Sequence, residues 1–218
     1  MTVRLAVFDC DGTLSDGQAG VVNAMNAAFT EVGAPRPPHS QIRRIVGLSL
    51  PQAIRQLAPD LPAEQQSAAV QAYKNAFRRS REEGSLREPL FTGMADLLQR
   101  LHGGGWTLAI ATGKSDRGLA STLAAHGLTN LFATTHTADR HPSKPHPAML
   151  EAAMDDVLAE PAATCMIGDT VFDIEMAVAA GVRPIGVSWG YHEPEELLAA
   201  GAVAVAAEIA ELESLING

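Results

Sequence analysis

Cysteine, long apolar runs and blocks of positive charge are all scarce in this chain, and each scarcity closes a class of function. Cys10 and Cys165 are the only cysteines. Both lie inside strand-like apolar runs, so they read as buried free thiols in a reducing compartment, not as a disulfide framework. No uncharged apolar stretch approaches the roughly 18 residues that a membrane-spanning helix needs. The opening MTVRLAVFDCDG has an apolar run too short for a secretory leader, and it ends in carboxylates. The expectation is a cytoplasmic protein. Lysine and arginine number 16 against 25 acidic residues, a net charge of −9, and they form no block. Nucleic acid and membrane are therefore not expected partners. No internal repeat and no low-complexity tract interrupts the 218 residues.

What is present is enough apolar material for a full core, 46% of the chain, in one large domain or in a core with an inserted smaller one. Short apolar runs recur at residues 5–8, 107–112, 164–168, 184–187 and 202–205. Runs of this kind suit strands covered on both faces. Helical patterns separate most of them, which predicts a Rossmann-like, doubly wound parallel sheet of the α/β class. One interval breaks the alternation. From residue 16 to residue 88 the periodicity is helical throughout. Val21, Met25, Ala28, Phe29 and Val32 share one face, Ile42, Ile45 and Val46 start a second helix, and Val70, Tyr73 and Phe77 mark a longer one. The expected organisation is a core of residues 1–15 and 89–218, with an all-helical domain of residues 16–88 inserted just after the first strand. Such an insert covers the carboxyl ends of the strands, where open α/β sheets bind ligands.

The polar residues that follow those strands form a coherent set. Asp9 and Asp11 follow the first strand, with Gly12 next. Thr112, Gly113 and Lys114 follow the second. Lys144 and Pro145 sit in a loop, and Gly168, Asp169 and, one helical turn on, Asp173 follow "CMI". Parallel topology brings them to one edge. So many carboxylates cannot share a small site without a cation. An oxygen-only donor set suits a hard ion such as Mg²⁺, which commonly works with a phosphate ligand. With Mg²⁺ present, Asp9 can stay ionised and attack phosphorus. Asp11 can protonate the leaving alcohol and then deprotonate the hydrolytic water. Thr112 and nearby backbone N–H groups, as at Gly113, can hold phosphoryl oxygens, and Lys144 can neutralise their charge. Gly12 would clear space for the phosphate beside the backbone.

The stretches "DCDGTLSD", "ATGK", "KP" and "GDTVFD" resemble, in order, the four motifs of the haloacid dehalogenase superfamily, and the helical insert resembles its C1 cap. The resemblance covers nearly the whole chain and is strongest to the phosphoglycolate phosphatase group. It implies that Asp9 is nucleophile and metal ligand, and that Asp11 is the acid/base and binds metal through its backbone carbonyl. It further implies that Thr112 and Lys144 hold phosphate, that Asp169 ligates the metal and that Asp173 supports the metal site. The aspartate at position 11 argues for phosphate transfer, because dehalogenases are expected to lack it.

The expected activity is Mg²⁺-dependent hydrolysis of a small phosphate ester, such as 2-phosphoglycolate, by a monomer or homodimer. A sugar phosphomutase would use the same residues; Leu50, where such enzymes are expected to carry an arginine, weighs against it. Phosphonoacetaldehyde hydrolysis needs a cap lysine, and Lys74, deep in a long helix, does not suit it. A phospho-acceptor signalling domain would be shorter and differently ordered. Within the insert, the Gly47–Leu48–Ser49 turn is expected to face the core, and Arg43, Arg44 and Arg55 are candidate readers of a substrate carboxylate. Lys114 and Asp16 are each balanced between a site role and an ordinary helix-start role. His136, His141 and His146 match no metal-ligand spacing.

Overall fold

The computed structural model describes residues 2–218. Its centre is a sheet of strands β1 (Arg4–Phe8), β2 (Trp106–Thr112), β3 (Thr134–Thr137), β4 (Thr164–Gly168), β5 (Arg183–Val187) and β6 (Ala204–Ala206). They lie in the order β3-β2-β1-β4-β5-β6, with every pairing parallel. The pleat explains why β1 reads as an unbroken apolar run. Ala6 and Phe8 point into one apolar layer and Leu5 and Val7 into another, all without exposure to solvent. The first layer is closed by α5 (Met94–Gly103), α6 (Asp116–Ala125) and α10 (Ile209–Asn217), the second by α7 (Ala148–Val157) and α8 (Val171–Ala179). Burying a side chain the size of Phe8 or Leu5 stabilises by about 1.5–3 kcal/mol. A polar residue on either face of β1 would forfeit that and add a desolvation cost.

Of the six strands, β3 was not expected from the sequence. Its residues, TTHT, are polar, and it pairs on one side only, with β2, at the sheet edge. The last strand occupies Ala204–Ala206 where residues 202–205 were expected. Both departures concern the margins of the sheet, where short strands carry little apolar signal. The chain runs outward from β1 to β2 to β3, then returns to lay β4 on the other side of β1. That reversal leaves a crevice at the carboxyl ends of β1 and β4.

Between β1 and α5 lie four helices: α1 (Gln18–Glu31), α2 (His39–Arg44), α3 (Leu50–Leu57) and α4 (Ala63–Glu82). They close on an apolar cluster that includes Met25, Phe29, Ile42, Ile54 and Val70. The insert leaves and re-enters the core side by side. Ser15 pairs with Leu90, and the Asp16 N–H donates to the Pro89 carbonyl at 2.8 Å. The Asp16 carboxylate accepts from the Gln18 N–H at 3.2 Å, the helix-start role.

Two candidate arginines fasten the insert to the core. Arg43 donates to Gln18 Oε1 at 2.6 Å and to the carbonyls of Gly190 and Tyr191 at 3.0 and 3.1 Å, and its guanidinium lies 5.5 Å from the centre of the Tyr191 ring. Arg44 pairs with Glu196. Arg55 is exposed on α3.

Candidate active site

Register and pleat place the first carboxylates. The Asp9 N–H donates to the Ile167 carbonyl at 2.9 Å, extending the β1–β4 ladder by one residue. Asp9 therefore stands at the crevice, buried, and opposite the end of β4 that carries Asp169. Asp9, Asp169 and Asp173 each offer an oxygen within 4.8 Å of the others. Lys144 is completely buried and donates to Asp9 Oδ1 at 2.7 Å and to Asp173 Oδ1 at 2.6 Å. Asp173 also closes a capping box at the start of α8. Its Oδ2 accepts from the Thr170 N–H at 3.0 Å and from the Thr170 hydroxyl at 2.8 Å. Asp169 accepts from the Thr13 hydroxyl at 2.6 Å and the Tyr191 N–H at 2.9 Å.

The electrostatics are those of an anionic site short of cations. Burial, opposed by Lys144 and reinforced by Asp173, holds the Asp9 carboxyl above its ordinary range. Burial, then Asp9 and Asp173, push Asp169 well up. For Lys144, burial works toward the neutral amine, but Asp173 and Asp9 outweigh it and the ammonium is kept. Of the three converging carboxylates only Asp9 and Asp173 reach the Lys144 ammonium, and Asp9 Oδ2 is buried with no hydrogen-bond partner. An orphaned carboxylate oxygen beside two further carboxylates fits a hard divalent cation.

Asp11 is not part of this group. It points along the crevice to Lys114, whose Nζ donates to Asp11 Oδ1 at 2.6 Å and to Glu88 Oε1 at 2.7 Å. Burial raises the Asp11 carboxyl, with Lys114 pulling the other way. Glu88, in the segment that returns from the insert, was not singled out in the sequence. It carries no motif and reaches the site only because the Ser15–Leu90 pairing brings its segment there. Thr112 is buried, and its hydroxyl accepts from the Lys114 N–H at 3.3 Å. Gly12 has φ +89°, and what a side chain there would strike is the Asp169 carboxylate, 2.2 Å away. In this structure its absent side chain makes room for that carboxylate.

A model described as haloacid dehalogenase-like hydrolase matches residues 6–187. The chain belongs to the haloacid dehalogenase-like hydrolase family. It is a phosphatase-like member. A Dickeya dadantii protein named "Probable phosphatase IndB" is 40% identical over 201 residues, spanning 90% of this chain and 86% of that one. A Vibrio vulnificus protein named phosphoglycolate phosphatase is 28% identical over 222 residues, 98% of this chain and 96% of its own length. A haloacid dehalogenase-like hydrolase from Streptococcus pneumoniae superposes with a TM-score of 0.84 at 27% identity, covering 98% of each chain.

In this hydrolase the insert closes over the crevice. A cavity of about 510 Å³ lies between them, reaching from Asp9 and Asp11 to α4. The Gly47–Leu48–Ser49 turn meets the core there, and the Ser49 N–H donates to Ser143 Oγ at 2.7 Å. None of Arg43, Arg44 and Arg55 lines the cavity; Lys74, Arg78 and Arg81 of α4 do, with Arg117 of α6. Lys74 was expected to be remote and is on the wall. It is exposed there. His136 Nδ1 and His141 Nε2 face each other at 2.9 Å, and His146 Nδ1 accepts from the Ala148 N–H at 3.2 Å, both outside this site.

A side chain at Gly113 would lie 2.6 Å from the Gly47 carbonyl oxygen and 2.8 Å from that of Leu48. Both obstacles are backbone, so Gly113→Ala must push the turn and the Thr112 loop apart. The expected outcome is a kcat/KM lower by about tenfold to a hundredfold, with a melting temperature lower by a few degrees, as overpacking costing about 1–3 kcal/mol would give, in parallel kinetic and calorimetric measurements.

Proposed function

We propose that the chain is a Mg²⁺-dependent phosphomonoesterase acting on small phosphorylated metabolites of the 2-phosphoglycolate kind, through an aspartyl-phosphate. The observation that carries this reading is the division of labour at the end of β1. Asp9 is buried beside Lys144 with one oxygen free, while Asp11, two residues on, is held apart by Lys114. A nucleophile and a proton carrier need such different surroundings. The names of the relatives support the reaction class, and the Vibrio vulnificus one supports the carboxylated substrate.

In this reading Asp9, Asp169 and Asp173, with the Asp11 backbone carbonyl, surround the metal position. Bound Mg²⁺ would offset the charge that otherwise opposes attack of a carboxylate on a phosphate dianion. An Asp9 oxygen bonds to phosphorus as the bond to the alcohol oxygen breaks, and Asp11 gives its proton to that oxygen. Water then attacks the acyl phosphate and loses a proton to Asp11. Inorganic phosphate departs and Asp9 is restored. Thr112, Gly113 and Lys144 hold the phosphoryl oxygens. Residues 16–88 act as the cap that opens for substrate and closes against water.

The test is sustained phosphate release from para-nitrophenyl phosphate and 2-phosphoglycolate in Mg²⁺. A phospho-acceptor domain would label itself once and stop, and a mutase would return phosphate to a sugar. Asp11→Asn keeps the backbone carbonyl and loses the proton. Its turnover is expected to fall by about 10²–10⁴-fold; turnover near that of the unaltered enzyme would take Asp11 out of the acid/base role.

A further inference from the structure

The cavity is larger than the reaction requires, and two features of its lining have no part in the chemistry above. Its volume of about 510 Å³ falls within the roughly 300–1,000 Å³ of pockets that enclose drug-sized ligands. The two-carbon alcohol of 2-phosphoglycolate would leave most of it to water. One wall is apolar and aromatic. Tyr73 and Phe77 lie one turn apart on α4, ring centroids 5.0 Å apart and planes tilted by 37°. Val21, Met25 and Ile45 extend this wall. Burial and then the charge of Asp11 push the Tyr73 phenol up. Tyr73 and Asp11 line the same cavity.

The other feature is surplus positive charge. Arg78 on α4 and Arg117 on α6 line the cavity from the insert and from the core, both exposed. Among the described residues neither has a carboxylate within 4.0 Å, and with Lys74 and Arg81 they outnumber the one exposed carboxylate on the lining, Asp139. The lysines that reach Asp9 and Asp11 are Lys144, shared with Asp173, and Lys114, shared with Glu88, so neither arginine takes part in those pairs. Cations gathered without partners repel one another and draw anions to the cleft they line. In a chain of net charge −9, such a grouping at one cavity points to an anionic part of the ligand beyond the transferred phosphoryl group.

We infer that the ester hydrolysed here carries on its alcohol side a ring-sized apolar body, which lies against Tyr73 and Phe77, and a carboxylate beyond it, which pairs with Arg78 and Arg117. This rests on the phosphatase reading and narrows it: the two-carbon ester has the carboxylate but not the body.

The experiment compares kcat/KM in Mg²⁺ for 2-phosphoglycolate, phenyl phosphate and para-carboxyphenyl phosphate. The last is expected to exceed each of the others by about tenfold, the effect of an added charge-assisted pair or a seated ring. Arg78→Ala and Arg117→Ala are expected to cost para-carboxyphenyl phosphate about fivefold more than phenyl phosphate. Phe77→Ala is expected to cost both aryl esters more than 2-phosphoglycolate. Arg55→Ala, exposed and away from the cavity, is expected to change none of them. A preference for 2-phosphoglycolate overturns the inference, and so does an equal loss on both aryl esters in the arginine variants, which would assign these cations to the phosphoryl group. Both outcomes leave the phosphatase reading standing. Absence of turnover on all three esters removes that reading, and the inference with it.

Discussion

Asp9→Asn is expected to abolish turnover while leaving the fold intact. The side chain is 1% exposed at the centre of the carboxylate group, and asparagine has nearly the same shape. Removing its charge relieves repulsion by Asp173 and Asp169, and Lys144 keeps its contact with Asp173. Thermal stability should therefore be unchanged or slightly higher, the usual trade at a charged active site. An amide oxygen is a poor nucleophile, so no acyl phosphate forms and the loss has no bypass through Asp11. The check is phosphate release by Asp9→Asn against a preparation of empty-vector cells purified in parallel. Activity clearly above that background would rule out covalent catalysis by Asp9.

Chelation is expected to silence the enzyme almost as completely, and Mg²⁺ to restore it. Asp9, Asp169 and Asp173 converge within 4.8 Å of one another, and a single ammonium, Lys144, reaches two of them. The phosphate of a substrate adds further negative charge to the same crevice. Without a divalent cation the substrate anion is repelled. Ca²⁺ should substitute poorly, because its larger and less regular oxygen shell would misplace the attacking carboxylate. A second readout does not depend on catalysis. Saturating Mg²⁺ should raise the melting temperature of the unaltered protein, since a ligand that binds only the folded state stabilises it by mass action. Full activity after exhaustive chelation would contradict the charge argument.

The convergence of the strand-end carboxylates was legible, because parallel topology brings them to one edge. In a parallel sheet every loop that follows a strand opens on the same edge, so residues written far apart as Asp9, Thr112 and Asp169 were expected to converge, and Asp9 and Asp169 meet. The β1 run was legible for a related reason: a strand buried on both faces needs apolar residues at every position. Strand β3 was not, because at the sheet edge Thr134 and Thr135 remain partly solvated and the segment is held by hydrogen bonds to β2. The helical nature of the insert was legible in its periodicity, and its apolar faces form one cluster.

Sequence alone determined the α/β core, the family and the residues that could carry charge at the crevice, since these follow from local patterns and from the strand-end rule. Tertiary structure decided which partner each charge has. Asp9 and Asp11 are separated by one residue, yet one is held by Lys144 and the other by Lys114, because the chain leaves the strand after Phe8 and turns at Cys10–Ser15, so the alternation that would put both on one face no longer holds. Glu88 joins Lys114 through the pairing of two linker segments that share no motif. The cap arginines show the limit most clearly. Helical periodicity tells which face of a helix is buried, but not which of its flanks looks onto a cavity. That depends on how the helix is set down on the core, and it turned Arg43 and Arg44 toward the core loop at Gly190–Tyr191 and Glu196 while placing Arg78 over the site.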